Sequence, residues 1–211
     1  MTRKCLTDSS FTPDGLDKPM PVAVRTRGLL LAVVGLAAVG LLLPVALSAR
    51  ASQVQDSIGD VAAGVPAYLD ILHAGIADQR GLGTLHVVME LAAPVPDQPS
   101  ENFLAYNWLI YDSFDAASFT NYVIRIRWRK AVNAWDASFT DRTALPSGGS
   151  EVVYPIAASI DGATLHATVP LTLLRNPSSF PWQAVARLVP FAVNPNGADT
   201  APDAGFAAWT R

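Results

Sequence analysis

Five aspartates stand where the chain has least reason to form regular structure. Asp56, Asp60 and Asp70 fall within 15 residues, separated by Gly59, Gly64 and Pro66, while Asp199 and Asp203 sit near the end in the segment DTAPDAG. Hard cations such as calcium take six to eight oxygens, from carboxylates and from carbonyls left free by glycine-containing turns. A first loop completed by a distant last loop suits that need. The spacing is not that of an EF-hand, which wants D-x-D-x-D-G and a glutamate at its twelfth position. The same residues have a plainer use as turn-formers, with Asp side chains capping backbone amides. Spacing leaves both readings open.

The other polar and aromatic candidates are scattered. Trp108, Trp128, Trp135, Trp182 and Trp209 offer planar faces on which a pyranose can stack. Trp108 and Trp128 have aliphatic neighbours at strand period and read as core. Trp135, between Asn133 and Asp136, is the least core-like, and Tyr68, Tyr106 and Tyr111 are uncommitted. Arg125, Arg127, Arg129 and Lys130 form a basic stripe, suited to an anionic polymer or carboxylated glycan, or to a solvated sheet face paired with cross-strand acids. Trp135, Tyr68, Arg125 and Arg127 are thus the candidate contacts for a polysaccharide or cell-surface glycan. No nucleophile elbow, H-E-x-x-H, S-x-x-K or phosphate-cradling loop is present. Glu90, Glu101 and Glu151 make no recognisable acid/base pair, so no catalytic residue is expected.

The elements that must hold these residues are strands. Short alternating or β-branched runs, closed by Pro, Gly, Asn or Asp, fall at 70–77, 84–91, 103–111, 122–130, 134–139, 152–160, 164–169 and 183–191. In 84–91, Leu85, Val87, Met89 and Leu91 share one face; in 122–130, Tyr122, Ile124, Ile126 and Trp128 oppose Arg125, Arg127 and Arg129. Period two excludes helix there. The expected fold is all-β: an antiparallel sandwich, immunoglobulin- or jelly-roll-like, of eight to ten strands. Residues 53–66, 94–102 and 194–206 read as long polar loops.

The chain has 211 residues, and 22 of them, 28–49, form one uncharged apolar run preceded by Arg25 and Arg27. The run reads as a secretory signal, cleaved before Ser52 at Ala49-Arg50-Ala51, or as an uncleaved anchor, since about 20 apolar residues suffice to span a bilayer. Met20 is a plausible start. In either case 1–51 is an address and 52–211 a single domain outside the cytoplasm, touching a membrane only through an uncleaved 28–49. That domain carries 15 acidic and nine basic residues, a net charge of −6. Such a balance disfavours nucleic acid and anionic membranes as partners. The one cysteine, Cys5, precedes the apolar run, so disulfides, thiol catalysis and cysteine-ligated zinc are excluded from the domain.

Taken together, D-x-x-G-D, then P-x-Y-x-D-I, TLHVVMEL, YNWLIYD, the segment GATLHATVPLTLLRNPSSFPWQA and the closing DTAPDAG resemble a group of bacterial extracellular β-sandwiches. These are the DOMON-like modules, similar to family-nine carbohydrate-binding modules and to the C-terminal module of glucodextranases. The resemblance covers roughly residues 56–209 through short, degenerate motifs. It implies a sugar-, haem- or calcium-binding module without a catalytic domain, and a structural calcium near Asp56, Asp60 and Asp70. A haem would need Met89 with one of His73, His86 or His166 as axial ligands. His86 falls on the strand face opposite Met89, so those two cannot pair, and Met89 reads as core filler.

Overall fold

The computed structural model describes residues 51–61, 63–79, 82–115, 118–189 and 199–211. The expected export segment at 28–49 lies outside them. Twelve strands occur among the described residues: β1 (Ala51–Gln55), β2 (Ile71–Gln79), β3 (Thr84–Leu91), β4 (Phe103–Tyr111), β5 (Thr120–Arg129), β6 (Ala134–Asp141), β7 (Val152–Pro155), β8 (Ala157–Asp161), β9 (Thr164–Pro170), β10 (Ser179–Val189), β11 (Asp199–Ala201) and β12 (Ala207–Thr210). The only helical pieces among those residues are 3-10 turns of three or four residues. All pairings are antiparallel. One sheet runs β1-β2-β3-β9-β8; the other runs β11-β10-β4-β5-β6-β7, with β12 also on β10. The chain is an all-β sandwich.

Alternation decides which way each strand faces. Leu85, Val87, Met89 and Leu91 of β3 meet Leu104, Tyr106, Trp108 and Ile110 of β4 and Ile124, Ile126 and Trp128 of β5 in one core, each at most 2% exposed. Burying a side chain of this size is favourable by about 1.5–3 kcal/mol, and a domain of this length reaches a stable core without disulfides. Four of the tryptophans, Trp108, Trp128, Trp182 and Trp209, are among the largest fully buried side chains.

Twelve strands exceed the expected eight to ten for two physical reasons. Segment 152–160, expected as one strand, is cut in two at Ile156: β7 pairs with β6 in one sheet and β8 with β9 in the other. Pro155, which has no N–H to donate, closes β7 on a sheet edge, where proline is tolerated. The other additions are short: β1 (ASQVQ) runs into the segment expected as a loop at 53–66, β11 (DTA) lies inside that expected at 194–206, and β12 (AAWT) follows it, each too short or too polar to show alternation. The end of the run expected at 183–191 lies outside the described residues.

Candidate metal centre

The aspartates of both end segments meet at one pole of the sandwich. Asp56 follows β1, with its amide bonded to the Leu72 carbonyl at 3.0 Å, so that the first loop starts beside β2. Gly59 holds a positive φ of 80°, a conformation glycine adopts without penalty. Its N–H is thereby aimed at Asp70 Oδ2, 2.8 Å away. Asp70 ends the 3-10 turn Ala67–Leu69 and enters β2. From the far end of the chain, Asp199 opens β11 opposite Ala186. Its Oδ2 accepts the Ile71 N–H, and its Oδ1 accepts the Thr200 N–H at 2.7 Å. Asp203 lies two residues beyond β11.

Each of Asp56, Asp60, Asp199 and Asp203 offers a carboxylate oxygen, all four within 4.8 Å of one another. Asp60 and Asp203 are exposed, Asp56 is half-buried and Asp199 is buried. Asp70, the fifth predicted residue, is 3% exposed and is not one of the four, although its charge acts on Asp60 and Asp199. Burial first, then the charges of Asp199, Asp203 and Asp60, push the Asp56 carboxyl up to about 7. Burial likewise raises Asp199 to about 6, against the two amide bonds it accepts and with Asp60 and Asp70 adding to the rise. Asp60 is raised by burial and then by Asp203 and Asp70. Every named charge acting on these three groups is another carboxylate. Close like charges of this kind are held together by protons or by a cation.

Two oxygens test whether a cation fits. Asp56 Oδ2 and Asp70 Oδ1 are both buried and have no hydrogen-bond partner. A buried carboxylate oxygen without a donor costs free energy that turn-capping does not return. Capping does explain part of the set: Asp56 Oδ1 takes the Ser57 N–H at 3.1 Å, and Asp70 Oδ2 takes that of Gly59. It leaves one oxygen on each residue unused.

The remaining sequence candidates do not converge. Tyr68 donates its hydroxyl to Glu101 Oε1, its own carbonyl accepts the Tyr106 hydroxyl at 2.6 Å, and burial followed by Glu101 raises its ionisation far above the usual phenol range. Trp135 faces inward, half-buried, with its indole N–H on the Asp97 carbonyl at 3.1 Å and its ring beside Tyr106 and Trp128. It lines a cleft of about 510 Å³ between the sheets. With the other four buried, none of the five tryptophans is an exposed platform, because all occupy inner-face positions. Arg125 and Arg127 point the other way, onto the outer face of the seven-stranded sheet. There Arg127 and Arg129 share Asp136 at 2.6 and 2.8 Å, the cross-strand pairing their stripe suggested. Met89 is fully buried, while His86 and His166 stack on the outer face of the five-stranded sheet, 5.2 Å between ring centroids. That removes the Met–His arrangement a haem would use with either of them. No protein-family model, curated protein or solved structure matches the chain.

Proposed function

We infer that the chain is a non-catalytic extracellular β-sandwich whose two end segments are clamped by one calcium ion, and that it serves as a binding or interaction module of DOMON-like type. The observation that carries this reading is the buried, partnerless oxygen on Asp56 within a group of four carboxylates, with a second such oxygen on Asp70, whose charge acts on two of them. Asp56, Asp60, Asp199 and Asp203 hold the ion, and Asp70 Oδ1 completes or backs the set. Hard, oxygen-only and anionic, these donors suit calcium over softer metals. When bound, the ion supplies positive charge that relieves the repulsion among the aspartates, and it ties residue 56 to residue 203. Export through segment 28–49 would bring the domain into a compartment where modules of this kind bind calcium with millimolar or submillimolar affinity.

Thermal melting of chelated protein against added calcium tests the assignment. At a calcium concentration 100 times Kd the gain is about 2.7 kcal/mol, which for a domain of this size raises Tm by about 5–10 °C. Asp60→Ala and Asp203→Ala, both at exposed ligands, are expected to abolish the rise while leaving the fold intact. A wild-type melting curve that does not move up to 10 mM calcium would overturn the assignment.

A further inference from the structure

The outer face of the seven-stranded sheet concentrates the opposite charge. Of the nine Lys and Arg residues after position 51, Arg125, Arg127 and Arg129 on β5, Arg187 on β10 and Arg142 after β6 gather on or beside it. Register explains how. Arg127 and Arg187 flank Ala105 of β4 from either side, and Arg125 stands opposite Asn107, one outward position along. Two strand spacings separate the flanking backbones by about 10 Å, within reach of two long side chains leaning over a small one. Ala105 and Asn107 are each only 2% exposed beneath them.

The partners of these cations are unequal. Arg127 and Arg129 divide Asp136 between them, and Arg142 has Glu151 at 3.8 Å. Arg125 gives its Nε–H to a neutral group, Asn107 Oδ1, at 2.8 Å. Arg187 Nε is buried without a hydrogen-bond partner. Burial, then the neighbouring charges of Arg127 and Arg187, lower the Arg125 ionisation. Guanidinium donors held half out of water with too few acids are completed by an anion, and their planar forks match carboxylate and sulfate oxygens.

The same face continues through Leu109, Val123 and Val185 to an aromatic hollow. There Tyr111 and Phe206 lie 4.6 Å apart by ring centroid, and Phe114, 59% exposed, completes a concavity of about 420 Å³. From Ala105 to Tyr111 the face runs about 20 Å. Guanidiniums at one end and aromatic faces at the other complement a linear polymer that carries both acid groups and apolar ring surfaces.

We propose that this face binds an acidic glycan, with Arg125 and Arg187 taking its carboxylate or sulfate groups and the hollow of Tyr111, Phe114 and Phe206 taking the apolar side of a sugar ring. What favours a glycan here is the hollow of Tyr111, Phe114 and Phe206 beside the guanidiniums, since a polyphosphate or a layer of anionic headgroups presents charge without an apolar ring face to fill it. The site uses no residue of the metal centre, so it stands or falls separately from calcium binding.

The test titrates the full chain, in chelator, with polygalacturonate, dextran sulfate, neutral dextran and a single-stranded oligonucleotide, followed by calorimetry. One acidic glycan is expected to bind, weakening with salt, and which of the two prevails separates carboxylate from sulfate recognition. Arg187→Gln and Arg125→Gln should each lower affinity about tenfold or more, and Arg175→Gln, away from the face, should not. Arg125→Lys, which keeps the charge and loses the fork, should fall between; it also serves if a Gln variant melts early. Binding of neither acidic glycan, equal binding of dextran or of the oligonucleotide, or affinity unchanged in the Arg125→Gln/Arg187→Gln double variant would overturn the proposal.

Discussion

Among the aspartates of the cluster, Asp199 is the one whose carboxylate also joins strands from opposite ends of the domain. Its carboxylate faces the acidic group and also receives the Ile71 and Thr200 amides, so it fastens β11 to the start of β2. Asp199→Ala therefore leaves the Ile71 donor unpaired and should cost about 1–3 kcal/mol even in chelator, read as a lower denaturant midpoint. Asp60→Ala chiefly removes repulsion from Asp203 and Asp70 and should leave chelated protein slightly more stable than wild type. Acidity follows the same geometry. Asp56 at about 7 and Asp199 at about 6 lie above the 3.8 of an unfolded chain. Between those values the folded state binds more protons than the unfolded one, so metal-free stability falls as pH rises through the window from about 4 to 7. Calcium needs the ionised carboxylates, so its contribution grows with pH over the same window. In chelator, Tm should be higher at pH 5 than at pH 8, and saturating calcium should reverse the order. Asp56→Asn should flatten the chelated slope; a slope unchanged in that variant would remove Asp56 as its source.

At the level of elements, strands with strict alternation were readable and those without it were not. The inward faces of β3 and β5 follow from period two because each strand has a wet side and a dry side. β1 shows no such contrast: it is an edge strand whose residues alternate only between exposed and half-buried. Its place is set by partners far away in sequence, since Ser52 pairs with Ile76 and its Oγ accepts the Trp182 indole N–H at 3.0 Å. That the two aspartate segments would meet was legible because glycines and carboxylates mark each loop locally and both lie near the ends of the domain. Which four of the five carboxylates converge was not, as it depends on β11 reaching β10. Arg187 was missed for a similar reason: a lone arginine in an apolar strand gives no signal until register puts it across Ala105 from Arg127. The Ser52–Trp182 bond offers a check on β1. Ser52→Ala should cost about 1 kcal/mol and Trp182→Phe more, because it also leaves a cavity in the core, while Ser52→Ala should cost almost nothing further in the Trp182→Phe background. Additive losses would mean that the bond does not hold the strand.

Within the described residues charge is segregated at the scale of the domain, with aspartates clustered where its two end segments meet and guanidiniums on one outer sheet face. The pairs that define the proposed metal centre, Asp56 with Asp199 and Ile71 with Asp199, span 128 residues or more. Contacts at such separation carry the largest loop-closure entropy, and a sandwich dominated by distant pairings folds slowly. The proposed centre is therefore expected to assemble after the sheets have found their register, on the native side of the transition state. An interaction absent from the transition state slows unfolding without speeding folding. With calcium at 100 times Kd, the 2.7 kcal/mol or so of added stability corresponds to about a 100-fold change in the folding equilibrium. Nearly all of it should appear in the unfolding limb of a chevron measured against guanidinium, with the folding limb moving by less than about twofold. A folding limb that rises in step with calcium would mean the opposite order, with the two ends of the domain meeting before the sheets close.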